Sequence, residues 1–96
     1  MATSPGGQRL VQNIAANVRA RRRAAGLTQA ELAEGVGIDV RQLQYIESAR
    51  SGPSYDVLAT LAQVLDVSAP TLLEYARFVN PKRGRPKKDS TPSGRS

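Results

Sequence analysis

The sequence predicts an all-α domain of five short helices, and three observations support this fold class. Apolar residues recur at helical spacing over residues 8–79, helix-start signals recur at short intervals, and no stretch of useful length alternates as a strand does. A chain of 96 residues has room for one domain with a small core. We therefore expect a compact helical domain at 8–79, between a disordered segment at 1–7 and a flexible basic tail at 80–96.

The first helix is expected from about residue 8 to residue 25, where Gly26 can end it. Its apolar stripe consists of Val11, Ile14, Ala15, Val18 and Ala25. Arg22 falls on the same stripe, and an unpaired charge on a buried face would cost several kcal/mol, on the order of 3–5. The sequence therefore predicts a buried partner for Arg22.

The second and third helices have strong start signals of their own. Thr28 and Glu31 have the spacing of a capping box, and Gly37 permits the turn that follows. Asp39 and Gln42 repeat the same pattern at the start of the third helix. Only about three residues separate the two helices, and such a tight connection between two capped helices is typical of helix-turn-helix geometry.

Two further helices complete the predicted domain. Ser54 is expected to cap the fourth helix and Ser68 the fifth, where Pro70 is tolerated in the first turn. The apolar side of the fifth helix is expected to continue to Val79. Its apolar residues form a candidate homodimer interface, or alternatively they only close the core: Leu72, Leu73, Tyr75, Phe78 and Val79.

The composition favours a binding protein with an anionic partner over an enzyme. The net charge is +6, and most of the excess lies in residues 80–96, which hold six basic residues against Asp89. The chain has no cysteine and no histidine, so we expect no metal and no other cofactor. No Gly-rich phosphate loop or nucleophile-base pair is visible. The absence of a long apolar run or a signal-peptide pattern leads us to expect an intracellular protein without membrane contact.

Several stretches together resemble the phage-repressor and Cro-like helix-turn-helix domains, also called the xenobiotic-response-element family. They are residues 21–33 (RRRAAGLTQAELA), 37–39 (GID), Leu43, Ile46 with Glu47, 53–54 (PS) and 61–68 (LAQVLDVS). The resemblance covers roughly residues 8–76. It implies a duplex-DNA-binding regulator that acts as a homodimer in the cytoplasm, at a bacterial or phage nucleoid.

The resemblance places the third helix in the major groove, and the helical phase agrees with this. With Leu43, Ile46 and Glu47 turned inward, about 100° of rotation per residue turns other side chains outward. The candidates for base contact are Val40, Arg41, Gln42, Gln44 and Tyr45. Arginine suits guanine, glutamine suits adenine, and valine suits the thymine methyl group. The alternative is an ordinary solvated polar face.

Other positions are implied to contact the DNA backbone. Gln29, at the start of the second helix, would hold a phosphate with its side chain and the helix amides. Ser48, Arg50 and Ser51 would make further phosphate contacts, unless they form only an exposed polar loop.

The resemblance also bears on the framework behind the third helix. Arg22 and Glu47 match an internal ion pair that some family members have, and this pair would orient the third helix. Ala49 stands where the family usually has glycine, so the exit from the third helix could differ here.

The basic tail contains a second motif, which resembles an AT-hook. Its candidate residues for an A·T-rich minor groove are Arg83, Gly84, Arg85, Pro86, Lys87 and Lys88. The rival interpretation is a polybasic tail with affinity for phosphates only.

Taken together, these patterns predict a sequence-specific transcriptional regulator with the tail as an auxiliary clamp. Two other functions stay open. The chain could be a nucleoid-architectural protein that binds DNA without sequence choice, or a protein-interaction module, antitoxin-like or regulator-binding, with Tyr45 and the fifth helix as anchors.

Overall fold

The computed structural model describes residues 4–75, and helices supply all the regular secondary structure of that part. The elements are α1 (Pro5–Ala24), α2 (Gln29–Val36), α3 (Val40–Glu47), α4 (Tyr55–Val64) and α5 (Ala69–Leu73). The predicted all-α, five-helix fold is confirmed. None of these helices is both long enough and apolar enough to cross a membrane.

A single apolar core joins the five helices. α1 packs against α3 and α5, α2 packs against α3 and α4, and α4 packs against α5. The largest side chains with almost no exposure are Val18, Leu32, Leu43, Ile46, Leu61 and Leu72. Full burial of such a side chain contributes about 1.5–3 kcal/mol, so the inner face of each helix fixes its place in the bundle.

The helix starts show which capping signals form. The Thr28 hydroxyl accepts the Glu31 amide at 3.0 Å and the Glu31 carboxylate accepts the Thr28 amide at 2.8 Å, which confirms the capping box of α2. Ser54 caps α4 by accepting the Val57 amide at 3.2 Å. Asp39 also stands at a helix start, but the expectation that its side chain caps α3 is wrong, because it makes no capping hydrogen bond.

The N-terminus of α1 differs from the sequence expectation. The helix begins at Pro5, ahead of residue 8, because the Ser4 hydroxyl accepts the Gly7 amide at 3.0 Å and proline suits a first helical turn. The expectation of disorder at 1–7 is therefore wrong for residues 5–7. Residues 1–3 lie outside the described part of the chain.

The last helix is shorter than expected. α5 ends at Leu73, and Glu74 is extended. Asn17, buried on α1, donates from Nδ2 to the carbonyl oxygens of Leu72 at 3.0 Å and Glu74 at 2.8 Å. These side-chain bonds satisfy carbonyls at the helix end, so the expected continuation through residues 74 and 75 is wrong. Ser68 makes its side-chain bond to the Thr71 hydroxyl and gives α5 no capping bond to the backbone.

Candidate nucleic-acid interface

The two faces of α3 have opposite environments. Leu43, Ile46 and Glu47 are buried in the domain, at 0%, 1% and 3% exposure. The five residues suggested for base contact are exposed on the surface: Val40, Arg41, Gln42, Gln44 and Tyr45. The predicted helical phase is confirmed, and the outer face of α3 exposes one arginine and two glutamines to the solvent.

The buried partner of Arg22 is Glu47. Arg22 Nε lies 2.7 Å from Glu47 Oε2 and Nη2 lies 3.1 Å from Oε1, in a bidentate arrangement. Arg22 Nη1 also donates to the Leu27 carbonyl oxygen at 2.9 Å. Since both side chains are largely buried and Glu47 is on α3, this pair ties the last turn of α3 to α1.

A second arginine of α1 binds the end of α3. Arg19 Nη1 donates to the Glu47 carbonyl oxygen at 2.6 Å. The last carbonyls of a helix lack intrahelical partners and carry its partial negative charge, so a guanidinium is well placed there. Arg19 therefore holds the end of α3 through its guanidinium.

Gln29 connects the buried ion pair to the exposed surface of α3. Its Nε2 donates to Glu47 Oε1 at 3.1 Å, and its Oε1 accepts Gln44 Nε2 at 3.4 Å. A glutamine nitrogen carries two hydrogens, so the bond to Glu47 leaves one for another acceptor. The sequence patterns did not predict these bonds, because they join residues on different helices.

The exit from α3 contains the other three residues suggested for phosphate contact. Ser48 and Ser51 are exposed, and the Ser48 hydroxyl donates to the Tyr45 carbonyl oxygen at 3.2 Å. The Arg50 guanidinium lies over the Tyr45 ring, 5.4 Å from its centroid. This cation–π contact brings the charge of the loop onto the outer face of α3.

The turn at Ala49 keeps the conformation that usually suits glycine. Ala49 has φ 62°, and the Arg50 amide donates to the Tyr45 carbonyl oxygen at 2.9 Å. α2 ends in a similar way at Gly37, with φ 84°. The exit of α3 is therefore the left-handed turn that the glycine pattern implies, formed by a residue with a Cβ.

The remaining candidates divide into buried, exposed and undescribed residues. Leu72 is 0% exposed, so the expectation that it lies in a dimer interface is wrong. Tyr75, by contrast, is 77% exposed. Phe78, Val79 and the AT-hook-like residues lie outside the described part of the chain. The latter are Arg83, Gly84, Arg85, Pro86, Lys87 and Lys88.

Sequence reasoning missed Asn17 as the residue that ends α5. One signal was available: Asn17 is a polar residue between Ile14 and Val18 on the apolar side of α1. A buried amide has to find hydrogen-bond partners, so its position predicts a chain segment with unpaired carbonyls nearby. The pattern does not say which segment this is.

The fold and the surface of α3 define a helix-turn-helix protein, with α2 and α3 as its two central helices. The Helix-turn-helix family of Cro/C1-like domains matches residues 18–72, and the chain belongs to this family. The family membership supports a DNA-binding regulator and points away from an enzyme.

Two solved structures are similar to this chain. The clp gene regulator ClgR from Corynebacterium glutamicum is 30% identical with a TM-score of 0.66, and the match covers 70% of this chain and 71% of that one. The hypothetical transcription factor NHTF from Neisseria is 31% identical with a TM-score of 0.67, covering 78% and 86%. No curated protein matches the chain.

Proposed function

We propose that the chain is a sequence-specific regulator of transcription that inserts α3 into the major groove of duplex DNA. The observation that carries the proposal is the construction of α3. Its outer face offers Arg41, Gln42 and Gln44 to the solvent, while the buried ion pair of Glu47 with Arg22 holds its inner face. A helix so fixed can present hydrogen-bonding side chains to base edges without a large loss of conformational entropy.

The proposed phosphate contacts flank α3 on both sides. Gln29 lies at the start of α2, and Ser48, Arg50 and Ser51 follow the end of α3. Contacts of this kind position a protein on the duplex and carry no sequence information of their own. Gln29 would use its second amide hydrogen and the amides of the first turn of α2.

The tail would add affinity through an adjacent minor groove. Residues 82–88 contain five basic side chains, and glycine and proline lie between them. The AT-hook-like arrangement would place Arg83 and Arg85 in an A·T-rich groove and leave the lysines to phosphates. Two copies on half-sites about one helical turn apart would give a palindromic operator. Such a protein would bind its DNA in the cytoplasm, at the nucleoid.

The first experiment is selection of preferred sequences from random duplexes by the full-length protein. The selected duplex is then compared with a scrambled one over a range of salt concentrations. We expect a preferred palindrome and a clear difference in affinity between the two duplexes. Equal binding to both would contradict the proposal and favour an architectural DNA binder, while no DNA binding at all would favour a protein-interaction module.

Arg41→Ala tests the base contact that the proposal considers strongest. We expect a loss of roughly 1–3 kcal/mol of discrimination at one base position, because bidentate recognition of guanine is lost there. Arg9→Ala is the matched control, since it removes an exposed arginine near the start of α1 and leaves α3 unchanged. If Arg41→Ala weakens binding equally on all sequences, its assignment as a base-reading residue is wrong.

Deletion of residues 80–96 tests the role of the tail. We expect weaker binding to the selected and scrambled duplexes alike, and a salt slope flatter by about 4 to 5 units if all five basic side chains of 82–88 contact phosphates. The preferred sequence should be retained, because α3 supplies the base contacts. Loss of the sequence preference on deletion would assign sequence recognition to the tail.

A further inference from the structure

A groove runs along one side of α1. It is open to solvent, has a volume of about 340 Å³ and is formed by α1, the exit of α3 and the chain after α5. Its lining includes Gln12, Ala15, Ala16, Arg19, Ala49 and Tyr75. Ala15 and Ala16 contribute only methyl side chains to this lining, which leaves room beside them for a larger apolar side chain.

The chain enters this groove at a fixed point. Asn17 holds the Glu74 carbonyl oxygen at 2.8 Å, and Asn13 Nδ2 donates to the Leu73 carbonyl oxygen at 3.3 Å. These bonds determine where Tyr75 leaves α5, and Tyr75 lies in the groove lining. Whatever follows Tyr75 therefore starts at the groove.

The residues that follow Tyr75 have the chemistry of an occupant. Phe78 and Val79 are apolar, and apart from prolines residues 80–96 contain no further aliphatic or aromatic side chain. Phe78 is three residues beyond Tyr75, within a reach of at most about 11 Å. The groove extends along α1 from Gln12 to Arg19, which is about 10 Å of helix, so this reach spans it.

We infer that the groove is the docking site of this chain's own residues 76–79, with Phe78 over Ala15 and Ala16. This contact is independent of the proposed DNA binding, because it involves only intramolecular packing. It has a consequence for the tail. Ser48 and Ala49 line the same groove, so docking of Phe78 would start the basic segment beside the exit of α3. Anchoring there would raise the effective concentration of the tail at DNA held by α3.

Engineered cysteines can test this contact in the full-length protein, since the natural chain contains no cysteine. Gln12→Cys or Ser48→Cys on the rim is combined with Val79→Cys, and disulfide formation is measured at equilibrium in a thiol redox buffer without DNA. A disulfide requires Cα atoms about 4.4–6.8 Å apart. We expect at least one of the two pairs to form an intramolecular disulfide readily.

The matched control adds Phe78→Ser to the same cysteine pair, which leaves the length of the chain unchanged. We expect the equilibrium constant for disulfide formation to fall about tenfold or more, as the loss of a buried phenylalanine side chain implies. An unchanged constant would overturn the inference. Disulfides that form only between two molecules would also overturn it, because they would assign the groove to a second copy.

A fluorescence measurement keeps the test independent of cysteine geometry. The chain has no tryptophan, so Phe78→Trp introduces a single reporter, with Ser90→Trp as the control in the tail. We expect blue-shifted emission and weaker quenching by iodide for Phe78→Trp only, at every protein concentration. Ala16→Leu, verified as folded by circular dichroism, should fill the groove and restore quenching. A reporter at position 78 that is as exposed as the one at position 90 would overturn the inference.

Discussion

The two central helices of the domain have the same length but are held in different ways. α2 has a complete capping box at its start and Gly37 at its left-handed end. α3 has no side-chain cap at Asp39, and the turn after its end contains Ala49, whose φ of 62° is unfavourable for a residue with a Cβ. The local signals of α3 are therefore the weaker ones, although it carries the proposed base contacts.

Tertiary contacts compensate for this weakness in α3. Leu43 and Ile46 fill the core, and Glu47 receives hydrogen bonds from Arg22 and Gln29. Arg19 holds the main chain at the same point. The difference between the two helices teaches that the placement of α3 depends on α1 and α2 more than on its own helix propensity.

Among the substitutions that test this comparison, removal of the Glu47 carboxylate should have the largest effect on the free energy of unfolding. We expect Glu47→Ala to lower the free energy of unfolding by about 3–5 kcal/mol, because it leaves Arg22 buried without its carboxylate. Urea denaturation measures this change. Glu34→Ala on the exposed side of α2 is the control and should stay within about 0.5 kcal/mol of the parent. A similar small effect for Glu47→Ala would show that α3 does not depend on the ion pair.

Relief of the strain at the exit of α3 should have a smaller effect, of opposite sign. We expect Ala49→Gly to raise the free energy of unfolding by about 1 kcal/mol, because glycine adopts positive φ without the Cβ penalty. The control Ala59→Gly, on the exposed side of α4, should lower it by about 1 kcal/mol. Equal destabilisation by both substitutions would show that the turn at Ala49 carries little strain.

The same contrast explains which parts could be predicted from the sequence. The helix order, the capping box at Thr28 and the inward face of α3 depend on residues close together in the chain, so periodicity and capping patterns predict them. The pairing of Arg22 with Glu47 was implied by the family resemblance, whereas the helical periodicity showed only that Arg22 needs a partner. The role of Gln29 as a bridge could not be predicted, because it depends on the angle between α2 and α3.

The errors have equally local causes. α1 begins at Pro5 because a single serine cap outweighs the low helix propensity of Gly6 and Gly7. α5 stops at Leu73 although the apolar periodicity continues, since Asn17 from a distant part of the chain takes the carbonyls at its end. In both cases specific side-chain hydrogen bonds set the helix boundary, whereas the sequence pattern of the segment predicts a different one.

The smallest expected effect compares the two helix starts directly. We expect Thr28→Ala to lower the free energy of unfolding by about 1 kcal/mol, because the Glu31 amide loses its acceptor. Asp39→Ala should cost less, since the Asp39 side chain makes no capping bond and acts on α3 only through its charge near the helix N-terminus. Measurement at low and high salt separates these causes: screening should remove the effect of Asp39→Ala and leave that of Thr28→Ala nearly unchanged. If Asp39→Ala costs as much as Thr28→Ala at high salt, the side chain of Asp39 caps α3 in solution and the two helix starts are equivalent.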